Sequence, residues 1–236
     1  MRADAPRPGA QPAPKSPVSL TDLRHASTIL DWLRDYISMP HPRLGRSGPV
    51  CPFVPQSLRT DQVRIVLHDE IDGSDTDAIA ALLRDYLAEF IATTPASAAA
   101  RRQRSLVIVL PSIDDEHYPL LDQVHRDVKT DMVLGGAMLG QFYEGCPETA
   151  VRNPGFEVST GPVPCFVIRH MAPHDVLFLH ERADWFAEYH RRFAAEYAAG
   201  KVNDPLMVRL FEEASADIDT ADLAGEDNTE EELEKR

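Results

Sequence analysis

The segment at residues 105–110, SLVIVL, constrains the fold of this chain most. It is almost continuously apolar, and it lacks the alternation of apolar and polar residues that a strand with one solvent-exposed face has. A strand of this kind needs other elements packed on both faces of its sheet. Two further segments, QVRIVLH at 62–68 and CFVIR at 165–169, also have the composition of strands. Helical patterns lie between the three, which predicts a mixed α and β domain.

Four segments have the periodicity of amphipathic helices. Residues 20–38 repeat apolar side chains at spacings of three, four and seven, and they follow a Ser19–Asp22 pair typical of a capping box. The segments 76–92, 117–133 and 183–199 have similar patterns. We therefore predict an α+β fold, a single domain over residues 19–211 in which a small mixed sheet is flanked by helices.

The two ends of the chain differ in composition from this domain. Residues 1–18 are rich in proline and predict a disordered leader. Residues 212–236 contain eleven Asp and Glu against two Lys and Arg, and they predict a disordered acidic tail that is suited to binding a protein partner.

The net charge of −14 restricts the possible partners. Nucleic acids and anionic lipid surfaces are recognised mainly by Lys and Arg, so neither is expected, whereas a small cationic substrate is favoured. No segment has the roughly 20 apolar residues of a membrane span. Three cysteines, an odd number, and the lack of a signal-peptide core predict a cytoplasmic location.

Several common catalytic motifs are missing from the sequence. It has no G-x-S-x-G elbow, no G-x-x-x-x-G-K-[ST] phosphate loop and no H-E-x-x-H helix. The glycine-rich run at 135–140, GGAMLG, follows a predicted helix rather than a strand. It is therefore interpreted as a helix end followed by tight packing, and not as a dinucleotide fingerprint.

Residues 41–55, HPRLGRSGPVCPFVP, form the first candidate site. Four prolines and two glycines predict a long loop, and a loop positioned by a scaffold is a common place for function. Cys51 could be a soft metal ligand or face a cofactor, and Arg43 and Arg46 could clamp carboxylates. Alternatively, Cys51 and Phe53 only attach the loop to the core.

The end of the third strand, IRHMAPHD at 168–175, forms the second candidate site. A strand end holds His170 with little positional freedom, as a metal or cofactor ligand requires. His170 and His174 alone are an incomplete zinc site, but one histidine is sufficient for haem iron. Alternatively, His170 is a hydrogen-bonded structural residue, and Asp175 caps the following turn.

These segments, together with LVIVLP, GAMLGQF and the Arg152-Asn153-Pro154 run, resemble a bacterial family known as domain of unknown function 6875. The resemblance covers about residues 20–197. That family is in turn similar to haem-dependent N-hydroxylases of arginine-like guanidines, of the type found in cycloserine and guanitoxin biosynthesis. The resemblance implies a haem cofactor, molecular oxygen and an electron-donating reductase.

The same resemblance implies roles for individual residues. His170 would be the proximal ligand of the haem iron, and Cys51 would be the competing ligand. Arg46 and Arg169 would contact the haem propionates, with Phe53 also in the cofactor site. His41 would supply a distal hydrogen bond and so act in catalysis.

Three functions follow as hypotheses. The first is a haem-dependent monooxygenase that N-hydroxylates a guanidino or amino group of a small amino-acid-like substrate in natural-product metabolism. The second is a non-catalytic small-molecule-binding or accessory module of a biosynthetic pathway. The third is a metal-dependent hydrolase that uses His170, His174 and a remote carboxylate. The first requires the His170 imidazole and the Cys51 thiol to meet in one cavity large enough for a porphyrin.

Overall fold

The computed structural model describes residues 18–217. Its first helix, α1 (Leu20–Trp32), begins as predicted, because the Ser19 hydroxyl accepts a hydrogen bond from the Asp22 amide and the Asp22 carboxylate accepts one from the Ser19 amide. The predicted helix at 20–38 is divided in two. A π-helical segment (Leu33–Ile37) follows α1 and ends just before the proline-rich loop.

A four-stranded mixed sheet forms the centre of the molecule. Three strands match the sequence prediction: β1 (Val63–Leu67), β2 (Ser105–Val109) and β6 (Cys165–His170). The fourth is β3 (Ala137–Phe142), and the order is β1-β2-β6-β3. Strands β1 and β2 are parallel, and β6 is antiparallel to both of its neighbours. The predicted α+β class is confirmed.

Strand β3 corrects the interpretation of the glycine-rich run. The preceding helix ends at Leu134, and Gly136 then adopts a left-handed conformation with φ of 75°. The chain can therefore turn sharply and enter the sheet, where residues 137–142 pair with β6 along its whole length. Glycine composition weakened the strand pattern, but pairing with a long neighbour stabilises the strand.

The remaining elements connect and cover this sheet. The helices are α2 (Val54–Arg59), α3 (Thr76–Ala92), α4 (Ala98–Gln103), α5 (Tyr118–Leu134), α6 (Val176–Leu179), α7 (Ala183–Ala198) and α8 (residues 205–217). A two-stranded hairpin consists of β4 (Thr149–Ala150) and β5 (Asn153–Glu157). Single 3₁₀ turns occur at Pro42–Leu44, Asp115–His117 and Pro173–Asp175.

Helices cover both faces of the sheet, as the apolar run at 105–110 predicts. Leu106 and Ile108 of β2 pack in one cluster with α3 and α5. Val107 and Val109, which point the other way, pack with α1, the π-helical segment and α2. A third cluster lies beside β3, where α6, α7 and α8 pack on the end of α5.

The carboxyl-terminal boundary differs from the sequence prediction. Residues 212–217, which were expected to begin the acidic tail, continue helix α8, and Ala214 is buried in the third cluster. The apolar face of α8 outweighs the acidic composition there, since Phe211 stacks on Tyr197 with ring centroids 3.8 Å apart. The leader up to residue 17 and residues 218–236 lie outside the described part. None of the helices in the described part is long and apolar enough to cross a membrane.

Candidate functional site

Arg169 and His170 are consecutive residues of β6, and their side chains point to opposite faces of the sheet. The Arg169 guanidinium carbon lies 5.1 Å from the centre of the Phe53 ring, on the face covered by α1 and α2. The His170 ring lies 4.6 Å from the ring of Phe90, on the face covered by α3 and α5. Successive side chains of a strand alternate in this way.

The Cys51 thiol lies on the Arg169 face. It packs against the cluster that contains Cys165, and it is close enough to the Arg169 guanidinium to interact with it electrostatically. His170 is therefore separated from Cys51 by the sheet. The shared cavity expected for these two candidate ligands is not formed.

The space beside His170 is too small for a haem. Its Nε2 atom is buried and has no hydrogen-bond partner, so the nitrogen itself could act as a ligand, but Phe90 packs on the ring. Burial, with help from Arg104 and two other arginines, lowers the pKa of His170 to about 4, so the ring is neutral. A nearby cleft, lined by Phe90 and Arg104, measures only about 170 Å³. Pockets for drug-sized ligands usually measure roughly 300–1,000 Å³.

His41 packs against the β4–β5 hairpin. Its ring stacks on Phe156, with centroids 4.3 Å apart and planes 4° from parallel, in a small cluster formed with Leu44 and Ala150. Its Nδ1 atom accepts a hydrogen bond from the Arg43 amide. These contacts attach the proline-rich loop to the β4–β5 hairpin, which is a structural role rather than the predicted distal one.

Glycine allows the loop to approach this hairpin closely. Gly45 has φ of 76°, and a Cβ atom there would lie 2.7 Å from the carbonyl oxygen of Arg152. Any side chain would therefore collide with backbone. This close approach brings Arg46 within electrostatic reach of Arg152.

Arg46 retains an uncompensated charge. Its guanidinium donates hydrogen bonds to the carbonyls of Ser47 and Val50, at 3.1 and 2.9 Å. Among residues 18–217, no carboxylate lies within ion-pair distance of it. Burial lowers the pKa of Arg46, Cys51 raises it and Arg152 lowers it further, but an arginine remains charged at neutral pH.

A buried ion pair fixes the turn next to the site. Asp175 is completely buried and accepts two hydrogen bonds from Arg169, at 2.8 and 2.6 Å, and one from the Ala172 amide at 2.7 Å. Burial lowers the pKa of Arg169, but the Asp175 carboxylate and Cys51 together raise it by more. The pair holds the Pro173–Asp175 turn against the strand, and His174 of that turn lies edge-on to Phe53 at 5.6 Å.

A cleft of about 250 Å³ opens beside Phe53 and His174, and we call it the basic cleft. Its other walls come from Arg102 of α4, from Glu196 of α7 and from residues 201–207. Burial lowers the pKa of His174, so this imidazole is neutral at pH 7. Arg102 pairs with Glu196, and Arg152 pairs with Asp204 at 2.7 Å.

The lining of the basic cleft itself is balanced in charge, with Arg102 and Lys201 against Glu196 and Asp204, but the groups around it add net positive charge. The cleft and the charged groups within reach of His174 and Arg46 contribute five cations against three carboxylates. The cations are Arg46, Arg102, Arg152, Arg169 and Lys201, and the carboxylates are Asp175, Glu196 and Asp204. Such a site attracts anionic groups, so it does not favour the small cationic substrate expected from the net charge.

The sequence prediction and the observed site overlap in part. Cys51, Phe53, Arg46 and Arg169 come together as predicted candidates on one face, whereas His41 and His170 do not join them. Arg102, Lys201 and Asp204 were not predicted. The run AAARRQR at 98–104 was a possible signal for Arg102, but nothing in the sequence around Lys201 indicated proximity.

Metal-binding residues are not clustered in the described part. Within residues 18–217, no three His, Cys, Asp or Glu side chains lie together as ligands of one ion, so His170 and His174 gain no third ligand from the fold. The other two cysteines, Cys146 and Cys165, are fully buried, and burial raises the pKa of both thiols, that of Cys146 to about 11.

Comparison with known proteins identifies a family. The model of a family described as Domain of unknown function (DUF6875) matches residues 26–204, a range that includes the proline-rich loop, the Arg169–Asp175 pair and nearly all of the basic cleft. No curated protein and no solved structure matches the chain.

Proposed function

The chain belongs to the DUF6875 family, and from that premise we propose that it binds a small molecule through a carboxylate or phosphate group at the basic cleft. The observation that carries the proposal is the charge of Arg46. Its neighbours Arg152 and Arg169 are neutralised by Asp204 and Asp175, but Arg46 has no such partner in the described part. A planar guanidinium without a carboxylate is suited to bidentate recognition of an anion.

Lys201 supports the same proposal. It lines the basic cleft, and no carboxylate within residues 18–217 lies within ion-pair distance of its amine. Lys201 lines the cleft and Arg46 lies within electrostatic reach of His174 at its edge, and both leave a positive charge available. Phe53 adds an aromatic surface beside them, so the ligand is expected to combine an anionic group with an apolar part.

The test is binding of two anionic probes, inorganic pyrophosphate and citrate, measured by calorimetry. We expect each probe to bind to the wild-type protein, and Arg46→Ala to weaken binding about tenfold or more, because a charge-assisted hydrogen bond contributes about 1.5–3 kcal/mol. Arg34→Ala is the matched control, since Arg34 is an exposed arginine of the π-helical segment that pairs with Asp31. Equal affinities in all three proteins would contradict the proposal.

A haem-dependent oxygenase is the second candidate function. The observation that favours it is the half-exposed Cys51 thiol, which lies near the guanidinium groups of both Arg46 and Arg169. The donor set fits haem, because a thiolate is a known axial ligand and arginines suit the propionates. Cys51, and not His170, would then hold the iron. The basic cleft, at about 250 Å³, would not enclose the whole porphyrin.

Bound haem would supply oxygen activation, with electrons from a reductase. The residues of this chain would bind and orient the substrate. Because Arg46 and Lys201 repel a guanidinium, an N-hydroxylation substrate would need a carboxylate to bind here, as an amino acid has. A purely cationic amine would be a poor substrate.

Haemin titration tests this second function separately. We expect a Soret band for the wild-type protein that Cys51→Ser shifts or removes and that His170→Ala leaves unchanged. His170→Ala serves as the matched control, because the imidazole lies on the other face of the sheet. A protein that takes up no haemin, or whose Soret band depends on His170 alone, would contradict the assignment to Cys51.

A further inference from the structure

The central sheet has two edge strands, β1 and β3, and the edge of β3 is covered. The outward carbonyl of Leu139 in β3 accepts a hydrogen bond at 3.0 Å from Nε2 of His125, a residue of α5. The next outward carbonyl along this edge, that of Gln141, accepts one from the thiol of Cys146 at 4.0 Å. Helix α5 also packs beside β3. An edge whose backbone groups are occupied in this way offers little to a further strand.

The direction of the backbone groups in β1 follows from two hydrogen bonds. The Ser105 amide donates to the Gln62 carbonyl just before β1, and the His68 amide just after β1 donates to the Val109 carbonyl. Gln62 and His68 therefore both face β2. Because the direction of the backbone groups alternates along a strand, the even-numbered residues of β1 face β2 and the odd-numbered residues face away from it.

The edge of β1 is unpaired in the described part of the chain. The N–H and C=O groups of Val63, Ile65 and Leu67 point away from β2, and no group within residues 18–217 forms a hydrogen bond with them. The sequence of β1 also lacks features that usually protect an edge, since it contains neither proline nor lysine, and its pairing with β2 has a regular register. This strand is therefore a template for pairing with another strand.

Helix α1 exposes two leucines on the side of this edge. The helix crosses the sheet, because it contacts β1 whereas its last residue, Trp32, packs on Phe142 of β3 with ring centroids 5.1 Å apart. Its first turn therefore lies on the β1 side. There Leu20 and Leu23 are 75% and 56% exposed. An apolar surface thus accompanies the unpaired backbone.

We propose that β1 pairs in antiparallel orientation with the β1 strand of a second copy of this chain, which joins the two sheets into one. In a pair centred on Ile65, this residue lies opposite its counterpart, and Val63 lies opposite Leu67 of the other copy. Every outward N–H and C=O group of the three residues then has a partner. The inference is independent of the proposed function, since it uses no residue of the basic cleft.

A second copy fits both features at once. The twofold axis of such an antiparallel pair is perpendicular to the sheet, so the α1 helices of both copies lie on the same face and their exposed leucines meet over the junction. Burial of these leucines adds apolar area to a strand edge that is small by itself, because stable interfaces bury about 1,200–2,000 Å². An isolated extended peptide would satisfy the edge but leave Leu20 and Leu23 in water.

Sedimentation equilibrium of the full chain, combined with hydrogen exchange of assigned amides by NMR, tests the pairing. We expect the mass to rise from that of one chain toward that of two between about 1 and 500 µM. Over this range the amides of Val63, Ile65 and Leu67 should become about tenfold slower to exchange, whereas those of Arg64 and Val66, which already donate to β2, should not change. Salt at roughly 0.3 M screens the repulsion between two copies that each carry a charge of −14.

A pair of variants at the centre of the edge separates the backbone from the side chain. Ile65→Pro removes the outward amide but no hydrogen bond to β2, so the strand can still form. It should weaken dimerisation about tenfold or more, because the hydrogen bonds between the two central residues are lost. Ile65→Ala is the matched control, since it shortens the side chain and keeps the amide, and it should dimerise within about threefold of the wild type.

A variant on the helix tests the apolar part of the interface and does not alter the sheet. Replacing Leu20 and Leu23 together by Glu should weaken dimerisation about tenfold, because four carboxylates would meet at the junction. Leu134→Glu is the control, since Leu134 is 55% exposed at the end of α5, next to the opposite edge strand. It should leave dimerisation unchanged. This comparison keeps the test valid if Ile65→Pro fails to fold.

Four results would overturn the proposal. The first is a protein that sediments as one chain at 500 µM. The second is a dimer that forms without added protection of the outward amides of β1. The third is protection of these amides at every concentration, which would assign the edge to another segment of the same chain. The fourth is equal dimerisation of the wild type and the variant in which Leu20 and Leu23 are replaced.

Discussion

Arg169 donates two hydrogen bonds to the carboxylate of Asp175, and this carboxylate has no exposed surface. The pair joins the end of β6 to the turn that carries His174. The carboxylate is completely desolvated. The stability of the pair therefore depends on its geometry and on the third hydrogen bond, which the Ala172 amide donates.

Removing one charge of this pair should destabilise the protein strongly. Asp175→Asn keeps the shape of the side chain but leaves the Arg169 guanidinium without compensation, so we expect a loss of roughly 3–5 kcal/mol in the free energy of unfolding. Urea titration at pH 7 measures it. As a control, Asp131→Asn breaks the exposed pair with Arg84 and should cost less than about 1 kcal/mol. Similar losses in the two variants would contradict the importance of burial.

The stability of the fold should fall as the pH is lowered from about 6.5 to 4. Burial lowers the pKa of both His125 and His170 to about 4 in the folded protein. Between that value and the ordinary value near 6.5, the unfolded chain binds protons that the folded chain does not bind, so acid favours unfolding. The stability that depends on neutral imidazoles is fully present above pH 6.5. It amounts to about 3 kcal/mol per histidine, which is lost as the pH falls to 4.

Comparison with a histidine variant isolates this effect from that of the carboxylates. His170→Gln should reduce the slope of unfolding free energy against pH by up to about 1.4 kcal/mol per pH unit over this range. His125→Gln should act in the same way, since glutamine can still donate to the Leu139 carbonyl that His125 contacts at 3.0 Å. A slope that neither substitution alters would show that both imidazoles titrate normally.

One thiol of three should react in the folded protein. Cys51 is half-exposed, whereas Cys146 and Cys165 are buried and their thiol pKa values are raised by burial. A colorimetric disulfide reagent should therefore titrate one thiol in buffer and three in denaturant. Cys51→Ser should remove the fast reaction. Rapid reaction of two or three thiols in the native protein would contradict the packing around Cys146 and Cys165.

The left-handed turn before β3 should disfavour a side chain. Gly136 has φ of 75°, and a Cβ atom there would displace the Arg192 guanidinium, which pairs with Glu188. Gly136→Ala should cost roughly 1–2 kcal/mol, because the displacement of this flexible side chain is added to the backbone strain. Gly145 is a matched control, with φ of 74° and open space around it, so Gly145→Ala should cost only about 1 kcal/mol.

A double variant identifies the cause of the stability lost in Gly136→Ala. In the background of Arg192→Ala the collision is removed, and Gly136→Ala should then cost no more than Gly145→Ala. If the penalty at Gly136 persists without Arg192, the strain resides in the backbone alone. Urea unfolding of the wild type, the three single variants Gly136→Ala, Gly145→Ala and Arg192→Ala, and the double variant measures these costs.

Several elements were predictable because the residues that stabilise them are close together in sequence. Helix α3 occupies the predicted residues 76–92, because its apolar face repeats at helical spacing and the Asp75 carboxylate accepts a hydrogen bond from the Ala78 amide at its start. The apolar run at 105–110 required cover on both sides, and helices supply it. Each of these signals lies within a few residues of the element it predicts.

Long-range pairing determined the elements that were missed. Strand β3 contains Gly140, and the β4–β5 hairpin contains Pro154 and Gly155, so their own residues favour strands weakly. They form because partners distant in sequence provide hydrogen bonds and packing. Lys201 and Asp204 belong to the candidate site for the same reason, since α7 returns the chain to the sheet end at which Arg169 lies.

The candidate site also has features that the sequence determined and features that only tertiary packing determined. The sequence by itself determined that Arg169 and His170, as neighbours in one strand, have to point to opposite faces of a sheet, because a pleated backbone alternates its side chains. It also marked Arg46, Cys51 and Phe53 as one group, because a single loop carries all three. Only the tertiary structure decided which face that loop covers. The choice depends on how α1 and the hairpin pack, and this packing associated the thiol with Arg169 and left His170 on the far side.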